Sequence, residues 1–246
     1  MEELRRILMS HPLIEKIGTK YSDEPFVDLN GYDPEISVDP ALAGRTPFFS
    51  FVRLSVAEKL FLAKQFLPKD IRFLVKEGYR PLHIQEQAFE RSLQRVKQHN
   101  SNQGMDFLVA ESSKYVAPPQ VAPHPTGGAI DVTLMGADGK ELDLGTDFDA
   151  LPHEVDYATF FDAANISEEA RYNRYILRDA LQAVGFTNYF TEWWHWSYGD
   201  RYWAVMNGHP EALYNPVSEE ELQGLVKVKL IEQKSHQPIY MGQNQG

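Results

Sequence analysis

Apolar and polar positions along this chain fall into short periodic stretches separated by long aperiodic ones. Residues 2–9 read as a short helix, and from Lys20 to about Phe51 the frequent Pro, Gly, Asp and Asn break any sustained period. The leading segment, residues 1–53, is therefore expected to be largely irregular, with room for a short strand; such a stretch drapes over a core or lines a site. Ser55-Val56-Ala57-Glu58 has the form of a capping box, Ser55 as N-cap and Glu58 three residues on, opening a helix through Phe66. Ile71–Lys76 is a strand candidate ended by Glu77-Gly78-Tyr79-Arg80-Pro81, and Pro81 suits the first turn of a helix to about Gln98. Residues 100–122 are polar and Pro-containing and read as loop.

Ala129–Leu134 reads as a second strand, and Gly136-Ala137-Asp138-Gly139 as the tight turn that follows it. Residues 141–166 are mostly irregular. Ser167-Glu168-Glu169-Ala170 opens a helix that should end at Gly185. The aromatic run Tyr189–Tyr198 reads as a strand and Tyr202–Met206 as a short helix; the polar tail over residues 237–246 is expected to fray. With no repeat and no dividing linker, the expectation is one α+β domain over residues 1–246. Its core would be a small central antiparallel sheet flanked by helices.

Composition narrows the chemistry. The 246 residues carry a formal net charge of -11, with 43% hydrophobic and 24% charged positions, ordinary for a globular protein. So acidic a balance disfavours nucleic acid and anionic membrane surfaces, which reward basic patches. The sequence contains no cysteine, so any metal must be held by His, Asp or Glu. The first residues lack the apolar core of a signal peptide, and no window is long and apolar enough to span a membrane. The expected location is cytoplasmic.

The stretch Pro123-His124-Pro125-Thr126-Gly127-Gly128-Ala129-Ile130-Asp131 places a histidine and an aspartate seven positions apart around a Gly-Gly hinge. That spacing is common, and a loop histidine with a turn-capping aspartate is the plain reading. Asp131, however, lies inside an apolar strand pattern, where a carboxylate is costly unless paired or bound to a cation. Glycines allow the sharp bend that would bring both side chains to one point. Glu192-x-x-His195 is a second candidate. On a helix its two residues would share a face; on the strand that Trp193, Trp194 and Trp196 favour, a bulge or a strand end is needed. The alternative there is an aromatic core strand with a solvated Glu192.

The two segments complement one another as three ligands and one base. Zn2+, one per chain, held by His124, Asp131 and His195 would acidify water, with Glu192 as the base that takes its proton before amide attack. Arg80 is the candidate for stabilising the oxyanion, because its fork geometry suits one; taken by itself, the plain reading of a surface arginine at a helix start prevails. His11, His83, His99, His153, His209 and His236 have no partner pattern and read as structural or surface residues. The tryptophans read as core, with one ring free to wall a pocket.

His124-x-x-Gly127-x-Ala129-x-Asp131 followed by Glu192-x-x-His195 resembles the zinc D-alanyl-D-alanine dipeptidases, the VanX-like branch of the DD-carboxypeptidase metallopeptidase family. Gly78-Tyr79-Arg80-Pro81 and Gly145-Thr146-Asp147-Phe148-Asp149 are similar to further motifs of that family, and the likeness runs from roughly Lys20 to Trp196. The resemblance implies that His124, Asp131 and His195 ligate zinc, that Glu192 is the base and that Arg80 stabilises the transition state. It also implies that Asp149, with Tyr21, binds the substrate's amino group. Two positions depart from the pattern: Ala122 stands where a serine is usual, and Glu77 where an aspartate is. Both bear on substrate rather than on metal or base.

The function expected is a zinc dipeptidase for D-Ala-D-Ala or a related small dipeptide. The alternatives are a peptidoglycan carboxypeptidase or endopeptidase acting on longer stem peptides, and a non-catalytic zinc-bearing binding module. Glu192 and Arg80 argue against the last, since a structural zinc needs neither.

Overall fold

The computed structural model describes residues 6–226. Its elements, in chain order, begin with α1 (Pro12–Lys16), β1 (Gly18–Thr19), β2 (Phe26–Asp28), β3 (Ile36–Val38), β4 (Phe51–Arg53) and α2 (Leu54–Ala63). There follow β5 (Arg72–Glu77), α3 (Leu82–His99), α4 (Met105–Ser112), β6 (Ala129–Met135) and α5 (Glu168–Gln182). The last elements among the described residues are β7 (Thr187–Asn188), β8 (His195–Ser197), α6 (Arg201–Met206), β9 (Glu211–Ala212) and α7 (Glu219–Leu225). Among the described residues no helix is long and apolar enough to cross a membrane.

The main sheet has five strands in the order β3-β5-β6-β8-β7. It is mixed rather than antiparallel throughout: β3 pairs with β5 in parallel, while β5–β6, β6–β8 and β7–β8 are antiparallel. The parallel edge strand comes from the leading segment, which also supplies β1, β2 and β4 to two separate two-stranded pairs, β1–β9 and β2–β4. Each of these strands has only two or three residues, too few for period-2 alternation to register.

One face of the sheet carries the core. Phe73 and Val75 of β5 and Ile130, Val132 and Leu134 of β6 pack with Val56, Ala57 and Leu60 of α2 and with Leu177, Ala180 and Leu181 of α5, all buried. Burial of such side chains, at ~25 cal/mol per Å2 of apolar surface, is what holds the two helices on the sheet. The opposite face is left to Asp131, on the other side of the pleat from Ile130 and Val132.

Several expectations need correction. Ser55 does not cap α2: the helix starts at Leu54 after an uncapped Arg53. The Ser55 amide instead donates to Glu24 Oε1 at 2.7 Å, so the cap comes from the leading segment, a tertiary contact no local motif encodes. Residues 100–122 are not all loop, since α4 lies among them; eight residues interrupted by Asp106 and Glu111 give too weak a period to recognise. Tyr189–Tyr198 is not one strand: β8 covers only His195–Ser197, and a turn precedes it. Asn188 Nδ2 closes that turn by donating to the Glu192 and His195 carbonyls, both at 2.9 Å. Of the helix expected over 2–9, residues 2–5 lie outside the described residues and Ile7–Met9 are not helical; the tail from 237 also lies outside them.

The hinge before β6 behaves as its glycines require. A single 3-10 turn, His124–Thr126, ends at Gly127 in the left-handed region, φ 72°. A Cβ at Gly127 would stand 2.2 Å from the Phe26 ring. Gly127→Ala should therefore lower stability by about 2–4 kcal/mol, combining left-handed strain with overpacking. Chemical denaturation measures this, and an unchanged midpoint would contradict it.

Candidate active site

Asp131 and His195 meet because β6 and β8 pair in a register that sets them directly opposite. His124 reaches the same point from the 3-10 turn below the hinge. Asp131 Oδ1 is 3.0 Å from His195 Nδ1 and Asp131 Oδ2 is 3.4 Å from His124 Nε2. The two imidazole centroids are 4.9 Å apart, and each of the three residues is only 3% exposed.

The charges in this cluster are strongly coupled to burial. Burial alone would raise the Asp131 carboxyl, but His124, and then His195, outweigh it and hold it well below the usual carboxylate range. Burial works against the charged form of His124, yet Asp131 raises it above its ordinary value. His195 is lowered, because its own burial dominates.

Whether the cluster suits a metal can be judged from the ring nitrogens. His124 Nδ1 donates to the Gly78 carbonyl at 2.6 Å, which leaves Nε2 as the free lone pair facing Asp131. His195 Nε2 lies 3.3 Å from Ser197 Oγ, which leaves Nδ1 facing Asp131 from the other side. One ligand atom from each residue lies within 4.8 Å of the other two. Tethering the far nitrogen so that the near one points inward is how ligating histidines are held. Two imidazoles and one carboxylate fit zinc among the common divalent ions, with a position left open.

Glu192 occupies the turn before β8, the strand-end solution that its spacing to His195 required. Its Oε2 is 4.0 Å from His195 Nδ1. Burial, reinforced by the Asp131 charge, raises its carboxyl well above the ordinary value. A dication in the cluster would offset that repulsion and draw the value back down.

Arg80 is held rather than free. Its Nε donates to Glu77 Oε1 at 2.9 Å, its Nη2 to Glu77 Oε2, and its Nη1 to Gln85 Oε1 at 2.9 Å. Gln85 is itself fixed by donation from Nε2 to the Ala117 carbonyl at 2.7 Å. Burial would weaken the Arg80 charge, and the Glu77 carboxylate more than restores it. The guanidinium thus stands charged 3.9 Å from Asp131 Oδ2. Glu77 is placed by a bulge: the β5–β6 register shifts between Val75 and Glu77, so that Glu77 pairs with Asp131.

Arg80, Gln85, His124, Asp131, Glu192 and His195 line a cavity of about 440 Å3 together with Asp149, Trp194 and Tyr189. Asp149 has a positive φ of 63°, unusual for a residue with a side chain and of a kind found at functional sites. Its Oδ2 is 3.7 Å from Arg45 Nη2. Tyr21 is not brought to the cavity; it stands 80% exposed and is absent from the lining. Ala122 packs into a core cluster with Met9 and Tyr202 and does not line the cavity either. Among the remaining histidines within the described residues, none lines it. Gln85, Arg45 and Ser197 were not singled out in the sequence. The only signal for Gln85 was its position one turn beyond Arg80.

The model of the Peptidase_M15 family, described as D-ala-D-ala dipeptidase, matches residues 50–213. A D-alanyl-D-alanine dipeptidase of Synechocystis sp. is 25% identical over 197 residues, 70% of this chain and 77% of that protein. One from Enterococcus faecium is 31% identical over 150 residues, 57% of this chain and 69% of that protein. Among solved structures, the LD-carboxypeptidase LdcB aligns with 86% of this chain and 85% of its own at a TM-score of 0.41 and 16% identity, too distant a likeness to argue from. Matched over a stretch that contains the His124–Asp131–His195 cluster, Glu192 and Arg80, this chain belongs to the Peptidase_M15 family and is a peptidase.

Proposed function

We propose that the chain is a zinc-dependent dipeptidase hydrolysing D-Ala-D-Ala or a related small dipeptide. The observation that carries this reading is the presence, in one cavity, of a buried proton acceptor, a fixed positive charge and three groups suited to a metal. His124, Asp131 and His195 would hold one Zn2+ per chain. Bound there, zinc supplies Lewis acidity toward water and a peptide carbonyl.

The chain's own groups then divide the remaining work. Glu192 accepts a proton from the attacking water at its carboxylate and returns it to the departing amine. Arg80, fixed by Glu77 and Gln85, offers a preorganised positive charge to the carbonyl oxygen as it gains negative charge. Asp149 pairs with the free α-amine of the substrate, exchanging its contact with Arg45 for that ammonium. A ligand whose amine must sit at Asp149 extends only one residue before the cleaved bond, as a dipeptide does and an N-acylated peptide does not. Ala122 and Glu77 do not oppose this reading, because Ala122 is turned into the core and Glu77 is engaged by Arg80.

One observation favours a second reading. A cavity of about 440 Å3 lies within the range of about 300–1,000 Å3 that suits drug-sized ligands, larger than a dipeptide, so a carboxypeptidase acting on longer peptides is the alternative. Amine release by the zinc-loaded protein from D-Ala-D-Ala, L-Ala-L-Ala and N-acetyl-D-Ala-D-Ala separates the two. Cleavage of the free D,D-dipeptide alone is expected; cleavage of the acetylated compound would move the protein to the carboxypeptidase reading.

Glu192→Gln should reduce turnover by roughly 100-fold or more, the scale of a general base, while zinc content stays at one per chain. Turnover at the wild-type rate would remove Glu192 from the role. Gln85→Leu should lower kcat about tenfold with metal content unchanged, because Arg80 loses one of its anchors. An unaltered kcat would show that Glu77 alone positions the guanidinium.

A further inference from the structure

The cavity does not stop at the groups that the proposed reaction uses. It continues along α3, where Ile84, Ala88, Arg91 and Arg95 line it at the three- and four-residue spacing of one helix face. Tyr115 and Leu151 line the same cavity. Arg91 and Arg95 are exposed at this end. Among the described residues neither is within 4.0 Å of a carboxylate. The carboxylates that line the cavity are Asp131, Asp149 and Glu192, all of them assigned above to metal, amine and proton. In a chain of net charge -11, two arginines on a cavity wall with no carboxylate partner among the described residues are a local reversal of sign, and such reversals concentrate anions.

Distance decides which part of a ligand they could meet. Arg91 lies six residues beyond Gln85, the residue that holds Arg80, which is about 9 Å along the helix, and Arg95 lies about 15 Å along it. A dipeptide backbone spans roughly 7 Å. A ligand seated at Arg80 therefore meets these guanidinium groups with an acidic side chain or with a third residue. Side chains on a helix lean toward its N-terminus, which brings the Arg91 guanidinium nearer, but the main chain of the two residues at the cleaved bond does not span the distance to Arg95.

We propose that Arg91 and Arg95 form a carboxylate-binding subsite, and that favoured substrates carry a carboxylate beyond the backbone of the two residues flanking the cleaved bond. The inference deepens the peptidase reading of the preceding subsection and rests on it. Guanidinium groups suit this ligand because they offer paired donors to a carboxylate.

The test uses the zinc-loaded Glu192→Gln protein, so that binding is read without turnover. Calorimetry compares two pairs of peptides that differ by a single negative charge. D-Ala-D-Glu against D-Ala-D-Gln reports an acidic side chain; D-Ala-D-Ala-Gly against its C-terminal amide reports the end of a third residue. In at least one pair the acid should bind about tenfold more tightly, and added salt should shrink the difference. The pair that responds identifies the source of the carboxylate. Adding Arg91→Gln with Arg95→Gln should abolish the preference, and Arg91→Lys with Arg95→Lys should retain much of it. Equal affinities within both pairs, no binding of any peptide, or a preference that survives the glutamine substitutions would overturn the subsite. Turnover of D-Ala-D-Ala and of all four test peptides by the wild-type protein is measured in parallel. Turnover without a charge preference removes the subsite alone, whereas a charge preference without turnover of any peptide removes the dipeptidase reading.

Discussion

A carboxylate inside a buried strand is the constraint around which this structure is arranged. Asp131 sits between Ile130 and Val132 in a strand whose other positions are apolar or hydroxyl-bearing and nearly all buried, where an isolated charge would cost several kcal/mol. Each nearby feature answers that cost. The register of β6 with β8 places His195 opposite it, and the glycine hinge returns His124 to it. A bulge then brings Arg80 within range. His124, His195 and the Arg80 guanidinium compensate the charge, and the tethered ring nitrogens leave both inward lone pairs directed at one place. Such a cluster has the donors and the geometry to receive a cation.

The bulge in β5 has a specific consequence. An unbroken register from Val75–Val132 onward would set Lys76 against Asp131. Its ammonium would then neutralise the carboxylate as a simple ion pair. The extra residue moves Glu77 into that place instead, and Lys76 pairs with Asp39 and Glu141, at 2.8 and 2.6 Å. Glu77 in turn recruits Arg80, so positive charge arrives on a planar group held at 3.9 Å from Asp131 rather than in direct contact with it. A bulge beside a functional site that re-aims a side chain is a recurrent use of this irregularity. Here it keeps Asp131 out of a direct pair with a lysine, as the proposed metal role requires, while holding a fixed charge nearby.

The parts of the site legible in the sequence were those that break a local rule. Asp131 was conspicuous because a carboxylate interrupts an apolar alternation. Gly127 was conspicuous because two glycines precede a strand, and Glu192-x-x-His195 because acid and imidazole punctuate an aromatic run. The α+β class, the helices α2, α3 and α5 and the central strands β5 and β6 followed from periodicity of sufficient length. What was not legible depends on contacts between distant residues. Glu24 caps α2 from thirty-one positions away, β3 joins the sheet with three residues, and Gln85 matters only because Arg80 and Ala117 happen to flank it. Tyr21 shows the converse: a likeness in one tripeptide places a residue by sequence, while the fold leaves its side chain in solvent.

The central claim is that His124, Asp131 and His195 together hold a metal ion. X-ray absorption on the protein loaded with one equivalent of Zn2+ measures this most directly. The account predicts a first shell containing two imidazole nitrogens and carboxylate oxygen at about 2.0–2.2 Å, and a clear loss of the imidazole signal in His195→Ala. Zinc that fails to bind at one equivalent, or a shell unchanged by that substitution, would contradict the account.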